Sequence, residues 1–446
     1  MASDWLTRTA VDMGDAIETG RLDPRDLTEA FLDAVAASDA GPAIYARTTP
    51  ARARAEAGAA AARAKAGLRR SPLDGVPISW KDLFDTAGCA TEAGSALLQG
   101  RVPDRDARVL ANATRAGLVC LGKTHMSELA FSGLGINPVT ATPPNRAGFD
   151  RAPGGSSSGA AASVAHGLAA AGIGSDTGGS VRIPAAWNDL VGLKTSHGRL
   201  SLEGVVPLCK RFDTVGPLTR SVADAAHLMA AMEGVDRAPD LAGSAIGGAR
   251  LAICTRTAFD DIRPEPAAAF ADIAERLGGA GARLFDLDLP EVEEAMPLSA
   301  CLFTAEAYGL WRDRIEAAPE KMYAPIRDRF RSGAEHSGPD YVAAWARLDR
   351  LRARLHAKLA GVDAFILPTA PNLPPDRARL ESDGAYYVTE NLMTLRNTRI
   401  GNLFDLCGLT LPTGHPGCGL MLLALPGQEE RLLRLGVAVE SALRAT

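Results

Sequence analysis

The sequence is poor in aromatic residues, in excess charge of either sign and in long apolar runs. Of its 446 residues 5% are aromatic, and the formal net charge is −5. A mildly acidic chain lacks the basic surface that nucleic acids and anionic membranes attract. No apolar run approaches the ~20 residues that a membrane-spanning helix needs. We therefore expect neither a nucleic acid nor a membrane as a partner.

Cysteine is also scarce. The seven cysteines are an odd number, without a C-x-x-C pair or a His/Cys cluster. This pattern favours reduced thiols and predicts no structural metal site. The first residues (MASDWLTRTAVDMGD) include acids and lack the apolar segment of a secretory signal. We therefore expect a cytoplasmic protein.

Hydrophobic residues make up 46% of the chain and glycine is plentiful, with 45 residues. The length allows one large core or two ordinary domains. The chain shows no internal repeat and no low-complexity linker, which favours a single domain over residues 1–446. From residue 75 on, short apolar runs alternate with helical patterns, which predicts an α/β fold with a sheet covered by helices on both faces. The predicted strands are 76–80, 118–121, 169–174, 190–194, 251–254, 284–289, 364–367, 409–411 and 420–425.

The helical patterns divide the rest of the chain. Residues 1–70 are predicted to be N-terminal helices, and Asp23 followed by Pro24 is typical of a helix start. Residues 293–360 are predicted to be a helical insertion over the sheet. Residues 372–387 are rich in proline and glycine and are predicted to be a loop. Further helices are predicted at 266–277 and 428–444.

Two short motifs match known expressions but lack the required context. Residues 117–124 (GLVCLGKT) satisfy the P-loop expression, yet their variable residues predict a strand where a phosphate-binding loop is required. Residues 155–159 (GSSSG) satisfy G-x-S-x-G, yet polar residues precede them instead of the strand of a nucleophile elbow. A triad on Ser157 would need a histidine base, and the candidates have uninformative neighbours: His197, His227, His336, His356 and His415.

The densest group of small and polar residues lies at 152–185. An apolar strand there leads into SDTGGSVRIPA, residues 175–185. Gly178 and Gly179 lack a Cβ, so the backbone can take angles that direct several N–H groups to one point. Such a nest suits an anionic oxygen, and Ser180 at its end is placed to attack a carbonyl. A plain glycine-rich turn and a phosphate-binding loop are the alternatives.

This region resembles the amidase signature family. The family's mark is a Gly/Ser-rich block, a small-residue helix and then G-G-S-[IV]-R-x-P, here GGSSSG (154–159) and GGSVRIP (178–184). Upstream, DGVPISWKD (74–82) is similar to the family's strand with its catalytic lysine, and the separations of lysine and serines agree with the family's pattern. The resemblance covers residues 73–219, the signature core, and implies the family's mixed central β-sheet.

The resemblance implies a Ser–Ser–Lys triad, with Ser180 as nucleophile, Ser156 as bridging serine and Lys81 as terminal base. A serine hydroxyl needs a neighbour that takes its proton, and a neutral lysine can do so without histidine. Lys81 follows an apolar run, and burial would lower its pKa.

The resemblance also implies a cis peptide bond between Gly155 and Ser156. It further implies that backbone N–H groups at residues 177–180 form the oxyanion hole. Supporting roles are expected for Ser157, which can assist the triad, and for Arg182, which can brace the loop through Asp176. The oxyanion-hole residues are Thr177, Gly178, Gly179 and Ser180.

These expectations predict an amidase that cleaves a small-molecule amide through an acyl-enzyme, without a metal or organic cofactor, and forms a homodimer by family habit. The alternative is the glutaminase (A) subunit of a tRNA-dependent amidotransferase, although such subunits usually have Gln where this chain has Ile183. A binding protein on an inactive scaffold is disfavoured because all triad positions are intact. Arg396, Arg399 and Asn402 are either ligands for a carboxylate or urea-like substrate group or merely surface residues.

Overall fold

The computed structural model describes residues 2–444, and eleven strands within them form one mixed sheet. Its strand order is β1-β3-β2-β4-β6-β5-β10-β11-β9-β7-β8. Strand β2 pairs in parallel with β3 and β4, β7 pairs in parallel with β8 and β9, and the other neighbours are antiparallel. The strands are β1 (Tyr45–Thr48), β2 (Pro77–Lys81), β3 (Val119–Thr124), β4 (Ala171–Asp176), β5 (Val191–Lys194), β6 (Thr214–Thr219), β7 (Arg250–Cys254), β8 (Arg283–Leu287), β9 (Ala364–Pro368), β10 (Cys407–Pro412) and β11 (Gly419–Ala424).

Helices surround the sheet. The α-helices are α1 (Ala10–Glu18), α2 (Pro24–Ala37), α3 (Gly41–Ile44), α4 (Pro50–Ala66), α5 (Arg108–Arg115), α6 (Ser158–Ala165), α7 (Arg182–Trp187), α8 (Val222–Glu233), α9 (Pro264–Gly279), α10 (Pro290–Ala295), α11 (Leu298–Ala317), α12 (Ala324–Arg331), α13 (Gly338–Leu359), α14 (Arg377–Ser382), α15 (Gly384–Thr394), α16 (Arg396–Leu403) and α17 (Glu429–Arg444). Short 3-10 helices span Ala2–Trp5, Ala96–Leu98, Glu128–Ala130, Thr257–Phe259, Pro319–Lys321 and Ser332–Glu335.

Strand β11 shows how both faces of the sheet are covered. Leu420 and Leu422 pack in a cluster with apolar residues of α8, α9 and α17. Met421 and Leu423, which point the other way because side chains alternate along a strand, pack in a second cluster with residues of α11 and α13. The chain is therefore a single domain with a large mixed sheet between helical layers.

The predicted strands agree with nine of the observed ones to within a few residues, and the sequence missed β1 and β6. Strand β1 is short and lies at the sheet edge, inside the region expected to be helical. Strand β6 (TVGPLT) contains Gly216 and Pro217, which break its apolar run. A Cβ on Gly216 would lie 1.8 Å from the carbonyl oxygen of Leu193, so close strand packing requires glycine here.

The predicted N-terminus of α2 is confirmed, because the Asp23 side chain accepts a hydrogen bond from the Arg25 N–H and Pro24 is the first helical residue. The predicted loop at 372–387 is wrong, since α14 and the start of α15 lie there. Asp376 and Asp383 cap these two helices through their side chains. Aspartates that suggest a loop in sequence also serve as N-caps, which explains the error.

Within residues 2–444, no helix combines the length and the apolar character needed to cross a membrane. All seven cysteines lie in this part of the chain and none forms a disulfide.

Candidate active site

Lys81 is the last residue of β2, and its side chain is completely buried. Its Nζ donates hydrogen bonds to Ser156 Oγ at 2.6 Å and to Ser175 Oγ at 2.9 Å. No carboxylate in the described part of the chain forms an ion pair with this amine. Burial lowers the pKa of Lys81 to about 7, although Asp176 and Asp213 act in the opposite direction.

Another buried lysine provides a contrast. Lys123 in β3 forms an ion pair with Asp82, with 3.2 Å between Nζ and Oδ1, and donates to Thr91 Oγ1 at 2.9 Å. Lys123 is the lysine of the P-loop-like motif at 117–124, and all but the first two residues of the motif are strand β3 itself. The structure therefore agrees with the rejection of that motif as a phosphate-binding loop.

Ser156 lies in a loop just before α6, and its hydroxyl accepts the hydrogen bond from Lys81. The Gly155–Ser156 peptide bond is cis, as predicted. Two backbone hydrogen bonds hold this loop: Gly155 N–H donates to the Gly133 carbonyl at 2.7 Å, and Ser127 N–H donates to the Ser156 carbonyl at 3.1 Å. The backbone of residues 127–133 thus holds the loop that carries the hydroxyl.

Ser180 is the end of the glycine loop that follows β4, and it is 4% exposed. Ser157 N–H donates to its carbonyl at 3.2 Å, which joins the two serine segments. The Ser180 hydroxyl has no hydrogen-bond partner within residues 2–444, Ser156 included. The structure therefore brings Lys81 and Ser156 into direct contact and leaves the hydroxyl of Ser180 unpaired on the wall of a cavity.

The backbone N–H groups of Thr177, Gly178 and Ser180 have no acceptor among the described residues. The N–H of Gly179 is different, because it donates to Asp176 Oδ1 at 2.8 Å. The sequence predicted four backbone N–H groups to be available for an oxyanion, and the structure leaves three. Gly179 has φ +134°, and a Cβ there would lie 2.1 Å from Thr398 Oγ1, so both the backbone angle and the space require glycine.

A buried ion pair between Arg182 and Asp176 supports this loop. The Arg182 guanidinium donates to both oxygens of Asp176, with Nη2 to Oδ1 at 2.9 Å and Nε to Oδ2 at 3.0 Å. Arg182 also donates to Asn402 Oδ1 at 2.7 Å. Burial alone would raise the pKa of Asp176, yet the charge and hydrogen bonds of Arg182 hold it well below its usual range. Arg182 therefore braces the loop through Asp176, as predicted.

Three further residues complete the supports of the site. Ser157 Oγ donates to the Ser175 carbonyl at 3.2 Å, which places Ser157 behind the second hydroxyl that Lys81 contacts. Thr398 Oγ1 donates to the Gly178 carbonyl at 2.7 Å. The sequence interpretation missed Ser175 and Thr398. Ser175 lies three residues before the first signature glycine, whereas Thr398 is remote in sequence and gave no signal.

Asp213 holds the first residue of the loop. Thr177 Oγ1 donates to Asp213 Oδ1 at 2.5 Å, and the N–H groups of Leu208 and Cys209 also donate to this carboxylate. Burial raises the pKa of Asp213 to about 6. Asp213 is thus a second carboxyl group whose charge influences the amine of Lys81.

The cavity at Ser180 has an empty volume of about 330 Å³, including its open mouth. We call Thr177, Gly178 and Ser180 its signature wall. We call Phe131, Phe303, Arg329 and Arg399 its arginine wall. The remaining lining residues are Ala130, Ser132, Leu208 and Leu395.

Of the three polar residues suggested for substrate binding, only Arg399 lines this cavity. Asn402 is buried and contacts Asp176 and Arg182, so it belongs to the brace of the loop. Arg396 donates to the backbone carbonyls of Ala258 and Asp260. Arg329 of α12 lines the cavity and was not predicted.

No histidine within residues 2–444 hydrogen-bonds to any serine of the 155–159 motif or to Ser180. Among the candidate bases, His197 contacts the Asp213 carbonyl, His356 the Phe404 carbonyl and His415 the Asp272 carboxylate. A histidine-based triad on Ser157 is therefore not assembled.

The sequence model of the family described as Amidase matches residues 26–433. The chain is 35% identical, over 97% of both chains, to 2-amino-5-chloromuconic acid deaminase of Comamonas testosteroni. It is 32% identical to the A subunit of glutamyl-tRNA(Gln) amidotransferase from Jannaschia sp. (strain CCS1), over 99% of this chain and 98% of that protein. Among solved structures, peptide amidase from Stenotrophomonas maltophilia matches with a TM-score of 0.84 and 27% identity, over 99% of this chain and 98% of that one.

Proposed function

The chain belongs to the amidase signature family and is an amidohydrolase acting on C–N bonds, and from this premise we propose that Ser180, Ser156 and Lys81 act as its catalytic triad. The observation that carries the proposal is the state of Lys81. A buried amine with two serine hydroxyls as partners and no carboxylate has its pKa lowered to about 7, so much of it is neutral near neutral pH. A neutral amine accepts a proton, as a general base must.

The proposed acylation moves one proton along the triad. Lys81 Nζ takes the proton of Ser156, and Ser156 Oγ takes that of Ser180 while Ser180 Oγ attacks the amide carbon. When the tetrahedral intermediate collapses, the proton returns through Ser156 to the leaving nitrogen, and ammonia or an amine departs. Water then attacks the acyl-enzyme with the same groups acting in the same sense.

This mechanism needs Ser180 Oγ to reach Ser156 Oγ when substrate is bound. Hydrogen bonds between catalytic groups are often absent without substrate and form in the Michaelis complex. The free hydroxyl of Ser180 fits that situation, because no other group among the described residues competes for it.

The developing oxyanion is stabilised, in this proposal, by the N–H groups of Thr177, Gly178 and Ser180. All three are without an acceptor in the described part of the chain, and such donors typically contribute about 3–4 kcal/mol each to the transition state. The N–H of Gly179 is not available to the oxyanion, because it donates to Asp176. Gly179 contributes the backbone conformation of the loop instead.

The alternative is a glutaminase subunit of a tRNA-dependent amidotransferase, which is what several relatives are named. We favour the independent amidase. Ile183, at the position where those subunits usually have Gln, is fully buried beside Leu134 and Trp187 and presents no polar group. Gel filtration for a partner subunit, together with glutamine hydrolysis by the chain alone, separates the two functions and also tests the proposed homodimer.

The deaminase from Comamonas has a name that describes removal of an amino group from an acid. For this chain we propose only the same class of reaction, which is cleavage of a C–N bond. We also propose a cytoplasmic location, since the chain has reduced cysteines and no spanning helix among the described residues.

The decisive experiment measures ammonia released from a set of aliphatic, aryl, ureido and amino-acid amides. Wild type should release ammonia and react with a fluorophosphonate at Ser180, and Ser180→Ala should do neither. Ser158→Ala is the matched control, because the Ser158 hydroxyl is buried nearby without a hydrogen-bond partner. Ammonia release that survives in Ser180→Ala, or a label on another residue, would refute the proposal.

A further inference from the structure

Two arginines of the arginine wall have no carboxylate partner. Arg329 Nη1 donates to the Phe131 carbonyl at 2.8 Å, and its guanidinium lies 4.3 Å from the centre of the Phe131 ring. Arg399 Nη1 contacts Ser299 Oγ at 3.3 Å. No aspartate or glutamate within residues 2–444 forms an ion pair with either side chain. Each guanidinium therefore keeps most of its five N–H donors unused.

Some other arginines are paired with carboxylates, whereas Arg396 donates to two backbone carbonyls. Arg182 binds both oxygens of Asp176, and Arg263 binds Glu390 at 2.9 Å. A charge that is removed from water without a counter-charge is costly, so buried charges are normally paired. Arg329 and Arg399 are partly buried and lack such a counter-charge among the described residues, and both line the cavity of the candidate nucleophile.

The two guanidiniums also lie close enough to repel each other. Burial and, to a smaller extent, the charge of Arg329 together lower the pKa of Arg399 to about 10. Burial likewise lowers the pKa of Arg329 to about 10. Both groups remain cations at neutral pH, so a bound anion would relieve both the desolvation and the repulsion.

We propose that the substrate is an amide that also carries a carboxylate, which Arg329 and Arg399 bind while the amide group lies against the signature wall. This inference rests on the proposed function of Ser180. A carboxylate matches the planar donors of a guanidinium in a two-fold hydrogen-bonded arrangement. Phe303 and Leu208 supply apolar surface in the same cavity for the carbon chain between the two groups.

The size of the cavity limits the substrate class. The empty volume of about 330 Å³ includes the open mouth, so the enclosed part of the cavity is small and admits only a short substrate. The monoamides of short dicarboxylic acids, with four to six carbon atoms, combine the required carboxylate, amide and length. Their diamides have nearly the same shape without the charge and serve as matched neutral probes.

The kinetic test compares succinamate, glutaramate and adipamate with succinamide, glutaramide and adipamide. For at least one pair, wild type should have a kcat/KM about 100-fold higher for the monoamide, because loss of a buried, hydrogen-bonded charge pair is costly. Arg399→Met should remove most of this preference, chiefly by raising KM for the monoamide. Arg396→Met, on the same helix and outside the cavity, should keep the preference.

A binding test does not depend on turnover. Ser180→Ala should bind succinate, glutarate or adipate in calorimetry more tightly than the corresponding diamides, and the added Arg399→Met substitution should abolish this difference. Arg399→Lys, which keeps the charge, should retain part of it. If Arg399→Met fails to fold, the preference of wild type and its partial retention in Arg399→Lys still decide the question.

The outcomes separate the two proposals. If no amide is hydrolysed but dicarboxylates bind in the Arg399-dependent way, the proposed function fails and the anion site stands. If wild type hydrolyses neutral amides as well as it does the monoamides, and dicarboxylates bind no better than diamides, the anion site is refuted and the amidase stands.

Discussion

The signature wall and the arginine wall of the cavity differ in how their polar groups are satisfied. Behind the signature wall, Asp176 is bound by Arg182, and the Thr177 hydroxyl is bound by Asp213. On the arginine wall, Arg329 and Arg399 each have one neutral acceptor. The groups proposed for catalysis are thus held in place by the fold itself, whereas the arginines proposed for recognition keep unused donors. If both proposals hold, the fold alone provides reactivity, and a bound anion completes selectivity.

The largest expected effect concerns the two buried lysines. Lys81→Met should lower kcat/KM by about 10⁴-fold with little loss of stability, since it removes the base but no ion pair. Lys123→Met should instead cost about 1–3 kcal/mol of unfolding free energy, because Asp82 loses one of its two cationic partners and keeps only Arg47. Kinetics and urea unfolding of both variants measure the contrast. Similar losses of activity per folded molecule in both would contradict the assignment of the base.

The second effect concerns the brace of the signature wall. Asp176→Asn leaves the buried Arg182 without its counter-charge and should cost about 3–5 kcal/mol of unfolding free energy. The control is Glu316→Gln, which removes an exposed ion pair with Arg331 and should cost less than about 1 kcal/mol. Urea unfolding measures the loss of unfolding free energy in both variants. Equally small losses would show that the Arg182–Asp176 pair stabilises the fold no more than an exposed ion pair does.

The pH dependence should follow from the lowered pKa of Lys81. The neutral amine is the active form, so kcat/KM should fall about tenfold per pH unit below pH 7 and level off above it. Asp213→Asn removes a negative charge that raises the Lys81 pKa, so it should move the acid limb to lower pH. A profile that still rises toward pH 10 would mean that Lys81 is an ordinary charged amine before catalysis.

The smallest expected effect lies beside the arginine wall. Leu208→Val removes one methylene from the cavity lining, worth about 0.8 kcal/mol, and should shift relative kcat/KM among amides of different chain length by a few-fold. Leu277→Val, buried in the other core cluster, should leave these ratios unchanged. Ratios measured in competition assays would test this, and an equal shift in both variants would point to general destabilisation.

The sequence predicted the strands that are continuous apolar runs, because a strand buried on both faces needs side chains of one kind throughout. It missed β6, where Gly216 and Pro217 interrupt the run, and β1, a short edge strand of mixed character. It assigned 372–387 to a loop because Asp376 and Asp383 suggest turns, although their side chains cap helices α14 and α15. Local sequence patterns thus predicted secondary structure correctly where the local preference of the residues and their tertiary packing favour the same element.

The candidate active site also divides into features that local sequence predicted and features that only packing showed. The glycine loop, the cis bond before Ser156 and the Arg182–Asp176 brace were predicted from one short signature, because these groups are near neighbours along the chain. Arg399 was one of three equal candidates, and only packing showed that Asn402 belongs to the brace. Arg329 is one of many arginines in the helical insertion, and nothing in its local sequence distinguishes it.

By itself the sequence determined the residues of the proposed chemistry: two serines and a glycine turn in the signature, and a lysine at the end of an apolar strand. Those features depend on residue type and short-range spacing, which the chain carries directly. Only the tertiary structure decided that Lys81 lacks a carboxylate partner while Lys123 has one, and that Arg329 and Arg399 meet without a counter-charge beside Ser180. Burial and the neighbouring charges arise from packing between distant segments, and these set both the pKa of the proposed base and the charge of the proposed ligand.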